Sequence, residues 1–472
     1  MAKAPSPAHT IAAPTLYRWW AIALGLVLIV LSERIAFNDS GDFIRSVYFM
    51  LAGPAESTGR LWTFLPGRFL RFDHFDAGSL VFAAFGYLQK WTSAVYFDLR
   101  WQSIGAKLLL LWLVHLITLR IVVIRHMAQL GRVLVFTALC LVFFQAHHIG
   151  IFKSFYAEYV TFFGCLLTVL GLLSPAGRPA TVYIIGGALV LGLSKVQYFY
   201  APALLLLCLG WHWLRAGTWR EHASTATGLL CVQLLCLLPL QHNPYQQLNY
   251  HQSLYFGSYM VLTPQERQDL GLTPRQQACV GLDSWGHRAA GPGGSLPQHE
   301  GGSCYGEQQL TLRDVLQPHM EHPTLLWRLA HYALPEHFTA QYFHVYRSLP
   351  YIVPADRRSF GGASGLVRLT QWRDATVTRI WPVIVAMGLL AGLAGLRAQI
   401  NVGVANLFLA AFILSQIAVS LLGEGIRDLS KHLWGAQLAL DILLCTLLLQ
   451  AWLFWHKRTD PRSKSSSERI TP

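Results

Sequence analysis

Apolar runs recur along this chain at lengths that suit a bilayer, separated by short connections rich in arginine. A hydrocarbon core about 30 Å thick takes about 20 apolar residues per helical crossing. Ten stretches approach that length: 16–36, 104–125, 133–145, 156–174, 181–193, 198–213, 227–240, 380–396, 402–422 and 433–455. The pattern predicts an all-α polytopic membrane protein of about ten transmembrane helices. A further stretch, 79–96, is apolar and aromatic but holds Lys90 and lies between Asp76 and Asp98. It reads as an interfacial helix rather than an eleventh span.

The short connections orient the chain. Arg120, Arg125 and Arg132, then Arg178, then Arg215 and Arg220, then Arg397 all fall on one side. Excess Lys and Arg in short loops marks the cytoplasmic face, which places both termini there. Four regions follow: an N-terminal bundle, 1–240, with an outer loop at 38–102; an outward-facing segment, 241–378; C-terminal transmembrane helices, 379–456; and a cytoplasmic tail, 457–472. In the outward segment, Thr263-Pro264-Gln265-Glu266 and Thr273-Pro274-Arg275-Gln276 are capping boxes with proline at the first helical position, so short helices are expected. Cys279 and Cys304 share that segment and could pair if it faces an oxidising compartment. The other six cysteines lie in apolar runs and read as packing residues.

Composition sharpens the class. The chain is 53% hydrophobic and 13% charged, where a soluble domain carries about a quarter charged residues. A net charge of +13 would suit nucleic acid, but the cations sit at span ends, where anionic lipid attracts them. No basic stripe with interleaved aromatics supports nucleic-acid binding. No nucleophile elbow accompanies the serines, and no Cys/His spacing signals structural zinc.

Candidate chemistry gathers at the outward face. Asp39 and Asp42 follow the first apolar run; carboxylates there can accept a proton from a hydroxyl or hold a divalent metal, or merely cap a turn. Glu158 stands at the outer end of the fourth run, where an acid is costly unless paired or facing a wet cavity. Lys195, with Ser194 and Gln197 beside it, sits in an almost absent connection, placed for a lipid phosphate or simply snorkelling. The last short outer loop, Gly423 to His432, carries Arg427, Asp428, Lys431 and His432. If helical, it sets Asp428, Lys431 and His432 on one face. Asp441 lies deeper, with Gln416 or His115 as expected partners. His147 and His148 are adjacent, so helical geometry points them apart and makes them poor joint metal ligands.

These residues, in this layout, resemble the GT-C superfamily of polytopic glycosyltransferases. Asp39 and Asp42 match the position of its first-loop acidic motif, although their spacing departs from Asp-x-Asp and leaves metal use open. Glu158 resembles a second outer acidic position of some bacterial members. Ser194-Lys195-Val196-Gln197 and Asp428-Leu429-Ser430-Lys431-His432 resemble polar motifs of bacterial relatives. The resemblance implies a glycosyltransferase of the bacterial inner membrane. It would move a sugar from a polyprenyl-phosphate-linked donor to a hydroxyl of an envelope glycan or lipid, with inversion. Asp39, Asp42 and Glu158 would be catalytic, with an Asp as general base. Lys195, Gln197, Arg427, Lys431 and His432 would hold the donor phosphate, supported by Asp428 and Asp441. The alternatives are a lipid-linked glycan flippase or transporter, and a glycan polymerase or ligase.

Overall fold

The structure is a computed structural model that describes residues 15–33, 35, 51–54, 63–66, 80–81, 84–85, 88–89, 91, 97–121, 124, 127–154, 156–241, 243, 245–289, 304–306, 309–340, 365–397 and 401–459. It is almost entirely helical. The bundle comprises α1 (Thr15–Ser32), α2 (Leu99–Arg120), α3 (Gln129–Phe143), α4 (Glu158–Leu173), α5 (Arg178–Ser194), α6 (Ala201–Ala216) and α7 (Ala223–Gln241). Next come α8 (Gln246–Tyr255), α9 (Pro264–Asp269), α10 (Pro274–Ala278), α11 (Leu312–Glu321) and α12 (Leu325–His337). Helices α13 (Gly365–Thr376), α14 (Trp381–Arg397), α15 (Asn401–Glu424), α16 (Leu429–His432) and α17 (Trp434–Thr459) complete the chain.

The all-α expectation needs one correction. Strands β1 (Leu51–Pro54), β2 (Thr63–Pro66) and β3 (Phe97–Asp98) form a small antiparallel sheet in the segment between α1 and α2. Local hydrogen bonding fixes its end. Asp98 N–H donates to Gln89 Oε1 at 2.7 Å and Asp98 C=O accepts from Gln89 Nε2 at 3.1 Å. The Asp98 carboxylate then caps α2 by accepting from Arg100 N–H at 2.9 Å.

The count of ten spans is met in part. Among the described residues, five helices are long and apolar enough to cross a membrane: Leu99–Arg120, Trp219–Leu240, Gly365–Arg397, Asn401–Glu424 and Trp434–Trp455. A sixth exists if Gln129–Phe143 and Ala146–Lys153, bent by 64° at their junction, count as one. Other expected spans are present as shorter apolar helices, Leu16–Ser32, Glu158–Leu173 and Arg178–Ser194. The stretch Gly365–Arg397 runs from α13 through the turn at Thr378–Ile380 into α14. Of 79–96, residues 80–81, 84–85, 88–89 and 91 are helical.

Helices pack where side chains are small. On α5, Gly187 faces α4 so closely that a Cβ would lie 2.5 Å from the Thr168 backbone nitrogen. Close backbone approach through glycine is the usual means of helix association in lipid, where no hydrophobic driving force remains.

Outside the spans, both predicted capping boxes are present, and Thr311 with Asp314 forms a third. Cys279 and Cys304 form a disulfide with Cα atoms 5.9 Å apart. Glu266 closes its capping box and also receives Arg328 in a fork, Nη1 to Oε1 at 2.7 Å and Nη2 to Oε2 at 3.0 Å. That guanidinium, with the Thr263 backbone, takes the carboxyl from 4.5 down to about 2. A depressed carboxyl contributes stability that is present above its unfolded value and lost as pH falls through the folded one. Acidification from 4.5 toward 2 is therefore expected to loosen the α9–α12 contact, read as faster hydrogen exchange across 261–270. Glu266→Gln should remove that pH step.

Candidate functional site

Local breaks in helical geometry gather the charged side chains. Helix α5 ends at Ser194, and Lys195 is extended (φ −158°) before a single turn, Val196–Tyr198, leads into α6. Ser194 Oγ and Thr161 Oγ1 are 2.7 Å apart, which ties this break to the first turn of α4. Glu158 opens α4, where the helix dipole favours an acid. As a result Lys195 Nζ donates to Glu158 Oε1 at 2.5 Å. Glu158 is fully buried and the lysine largely so.

The connection between α15 and α17 supplies the other half. Gly425 is left-handed (φ 61°), and a Cβ there would lie 2.5 Å from Phe256 O. Ile426 N–H donates to that same carbonyl at 3.0 Å, and Ser253 Oγ donates to Leu422 O at 2.7 Å. The end of α15 and helix α8 are thereby clamped together. Asp428 is also left-handed (φ 48°), and its carbonyl accepts from Lys431 and His432 N–H to start α16. Asp428 therefore precedes the turn and does not share a helical face with Lys431 and His432.

His432, 1% exposed, joins the two halves. Its Nε2 is 2.6 Å from Glu424 Oε2. Its Nδ1 is 3.4 Å from Lys195 Nζ and 3.0 Å from Gln197 Oε1. Its carbonyl accepts from Gln416 Nε2 at 3.0 Å, and Gln416 in turn accepts from Tyr200 OH at 3.1 Å. Burial pushes the imidazole below its usual pKa; Glu424 opposes this, while Lys195 and Lys431 add to it. Gln197 Oε1 can only accept, so its place at Nδ1 calls for an N–H there, while Glu424 Oε2 stands close to Nε2 on the far side of the ring. The order is acid, lysine, imidazole, acid. An ammonium has three donors; among the described residues Glu158 takes one, which leaves Nζ able to donate to a ligand.

Lys195, Gln197, Glu424 and His432 line a cleft of about 520 Å³. Its other walls include Phe199, Leu240, Leu316 and Val419, together with Asn249 and Tyr250 of α8. An apolar cleft with a few convergent polar groups is the usual form of a small-molecule site.

The remaining sequence-predicted residues fall elsewhere. Asp39 and Asp42 lie outside the described residues. Arg427 turns to Asp283 (Nη1 to Oδ2, 3.5 Å) and stacks over Trp285, where it helps hold the loop that follows α10. Lys431 lies over the Tyr156 ring at 5.5 Å. Burial pushes the Asp428 carboxyl up, but Arg427, Lys431 and His432 outweigh it and hold it below the usual range.

Asp441 forms a separate cluster, with partners other than those expected. Its Oδ1 accepts from Arg373 Nε at 2.9 Å and its Oδ2 stands 2.8 Å from His148 Nε2 and 3.4 Å from His147 Nε2. Arg373 also donates to Thr378 Oγ1 at 2.6 Å and to Gln437. Gln416 serves His432, and His115 bonds Tyr17 OH at 3.0 Å. The two histidines do converge: their rings are 3.8 Å apart, because they follow the bend after α3 on a four-residue helix. Ligand atoms of His147, His148 and Asp441 lie within 4.8 Å of one another, close enough to share one ion. Arg373 already neutralises that carboxylate, so a dication would add unbalanced charge to a buried site.

Sequence reasoning missed Glu424 and Arg373 as site-forming groups. Glu424 sits in the charged loop and could have been named; Arg373 lies in a polar stretch with no signal of burial.

Known proteins bear on this chain as follows. A family model described as YfdI N-terminal transmembrane domain matches residues 79–469. The uncharacterised protein YfdI of Escherichia coli (strain K12) is 23% identical over 437 residues, which is 90% of this chain and 93% of that protein. No solved structure matches.

Proposed function

The chain belongs to the YfdI N-terminal transmembrane domain family, a family of membrane proteins, and we propose that this member is a membrane glycosyltransferase. It moves a sugar from a polyprenyl-phosphate-linked donor to an acceptor hydroxyl of an envelope glycan or lipid. The observation that carries the reading is the cleft itself. A lysine able to donate to a ligand lies at its polar end, beside an imidazole–carboxylate pair, and apolar walls suit a prenyl chain. The Cys279–Cys304 disulfide favours an oxidising, extracytoplasmic side for the outer segment. That agrees with the arginine count, which favours both termini on the cytoplasmic side.

The mechanism is a direct displacement. The acceptor oxygen attacks the anomeric carbon, the bond from that carbon to phosphate oxygen breaks, and the electron pair leaves with the polyprenyl phosphate. Lys195 stabilises the departing charge from a water-poor site. A carboxylate at the mouth takes the hydroxyl proton; Asp39 and Asp42 are candidates for this from their place after α1. No step above calls for a divalent metal, and the wide Asp39–Asp42 spacing leaves its use open.

A transporter of lipid-linked glycans would draw on deep charges, and Asp441 is one. Its cluster is closed, however: Arg373, His147 and His148 are all buried around it. The test is the purified chain in sealed proteoliposomes, with radiolabelled polyprenyl-phosphate hexoses and an envelope glycolipid extract as acceptor. The expected result is label in the acceptor and release of free polyprenyl phosphate. Intact donor appearing on the far side, with no transfer, would replace this reading with transport.

A further inference from the structure

We infer that Glu424 is the carboxylate that takes the proton from the acceptor hydroxyl, an assignment that rests on the glycosyl-transfer reading above. It is the one acid among the described residues lining the cleft. The other described acids near the outer mouth lie outside that lining. Glu158 is fully buried and spends Oε1 on Lys195. Asp283 is fully buried and accepts from the Trp285 and His287 backbone N–H groups at 2.9 and 2.8 Å. Asp428 lies beside Arg427, 3.9 Å away, and does not line the cleft. Asp441 is held by Arg373.

Glu424 also has the support a general base needs. Its side chain is 19% exposed, and one of its carboxylate oxygens lies 2.6 Å from His432 Nε2. His432 is the positioning residue. It is itself oriented by Gln197 Oε1 at Nδ1 and by Gln416 at its carbonyl. The donor phosphate and the acceptor hydroxyl would thus meet across one imidazole, with Lys195 on the leaving side and Glu424 on the attacking side. In the step, the acceptor O–H proton passes to the Glu424 carboxylate as the oxygen bonds to the anomeric carbon. The carbon–phosphate oxygen bond breaks and its electron pair leaves on phosphate, so no oxidant, reductant or further reactant is needed.

A nucleophile that carries no proton separates a base from a structural residue. Azide can attack the anomeric carbon directly and give a glycosyl azide. Glu424→Gln keeps the shape and is expected to lose about 10²- to 10⁴-fold in transfer to hydroxyl acceptors, the usual range for a general base. Transfer to azide and binding of a polyprenyl-phosphate hexose should stay within about threefold of the unaltered protein. Glu424→Asp should be intermediate. Parallel loss of azide and hydroxyl transfer would show a structural role and overturn the assignment. So would azide transfer spared selectively in Asp39→Asn or Asp42→Asn instead, although glycosyl transfer itself would then stand. An unaltered protein that neither binds nor consumes any polyprenyl-phosphate hexose would overturn the transfer reading and this assignment with it.

Discussion

Arg373→Met is expected to destabilise the protein by about 3–5 kcal/mol, the usual effect of removing one partner from a buried ion pair. The guanidinium is 2% exposed and donates to Asp441, Thr378 and Gln437. Without it Asp441 is left as a buried charge with two histidines, and α13 loses its polar attachment to α17. A second substitution separates charge from packing. Asn at 441 carries no charge and can still accept from His148, so Arg373→Met with Asp441→Asn should recover a large part of the loss. Thermal unfolding in detergent, or in nanodiscs, reads both. A single variant that melts with the unaltered protein would mean that this cluster does not hold the two helices together.

Lys195→Met carries the second large effect, and on function. Removing a charged donor aimed at a developing anion lowers turnover by about 10²- to 10³-fold. The single variant also strips Glu158, fully buried, of its partner, so part of any loss would be misfolding. The pair Glu158→Gln with Lys195→Met addresses that. It replaces both charges together, which is often neutral for stability, so the fold should return while transfer and prenyl-phosphate binding stay lost. Recovery of transfer in the double variant would show that Lys195 acts only as the counter-ion of Glu158.

Much of this architecture can be read in the chain, for physical reasons that also mark where reading stops. Apolar runs announced the helices, because burial in lipid requires continuous hydrophobicity. They did not announce helix ends: α3 turns by 64° before His147, and α4 and α5 are shorter than a full crossing. The capping boxes at Thr263 and Thr273 were visible because a capping box is a local four-residue chemistry. Lys195 was notable as a cation in an almost absent loop. Its contacts are another matter. Glu158 is 37 residues away and His432 is 237 away, and such pairings depend on where several helices stop. Arg373 was hidden for the opposite reason, since Thr370-Gln371-Trp372-Arg373-Asp374 reads as an exposed polar turn. The histidine pair misled because the rule that adjacent helical side chains diverge applies to long regular helices. His147 and His148 occupy a single short turn after a bend.

The central claim is that one outward cleft holds a prenyl-linked sugar phosphate against Lys195 and the His432–Glu424 pair. The most direct measurement is a cryo-electron microscopy structure of the full chain with a non-transferable polyprenyl-phosphate hexose analogue. The account predicts phosphate density about 2.8 Å from Lys195 Nζ, as for charge-assisted bonds, with the sugar beside Glu424 and the prenyl chain along Phe199 and Leu240. Phosphate density at the opposite end of the bundle, by Arg178 and His222, with the cleft at Lys195 empty, would contradict it.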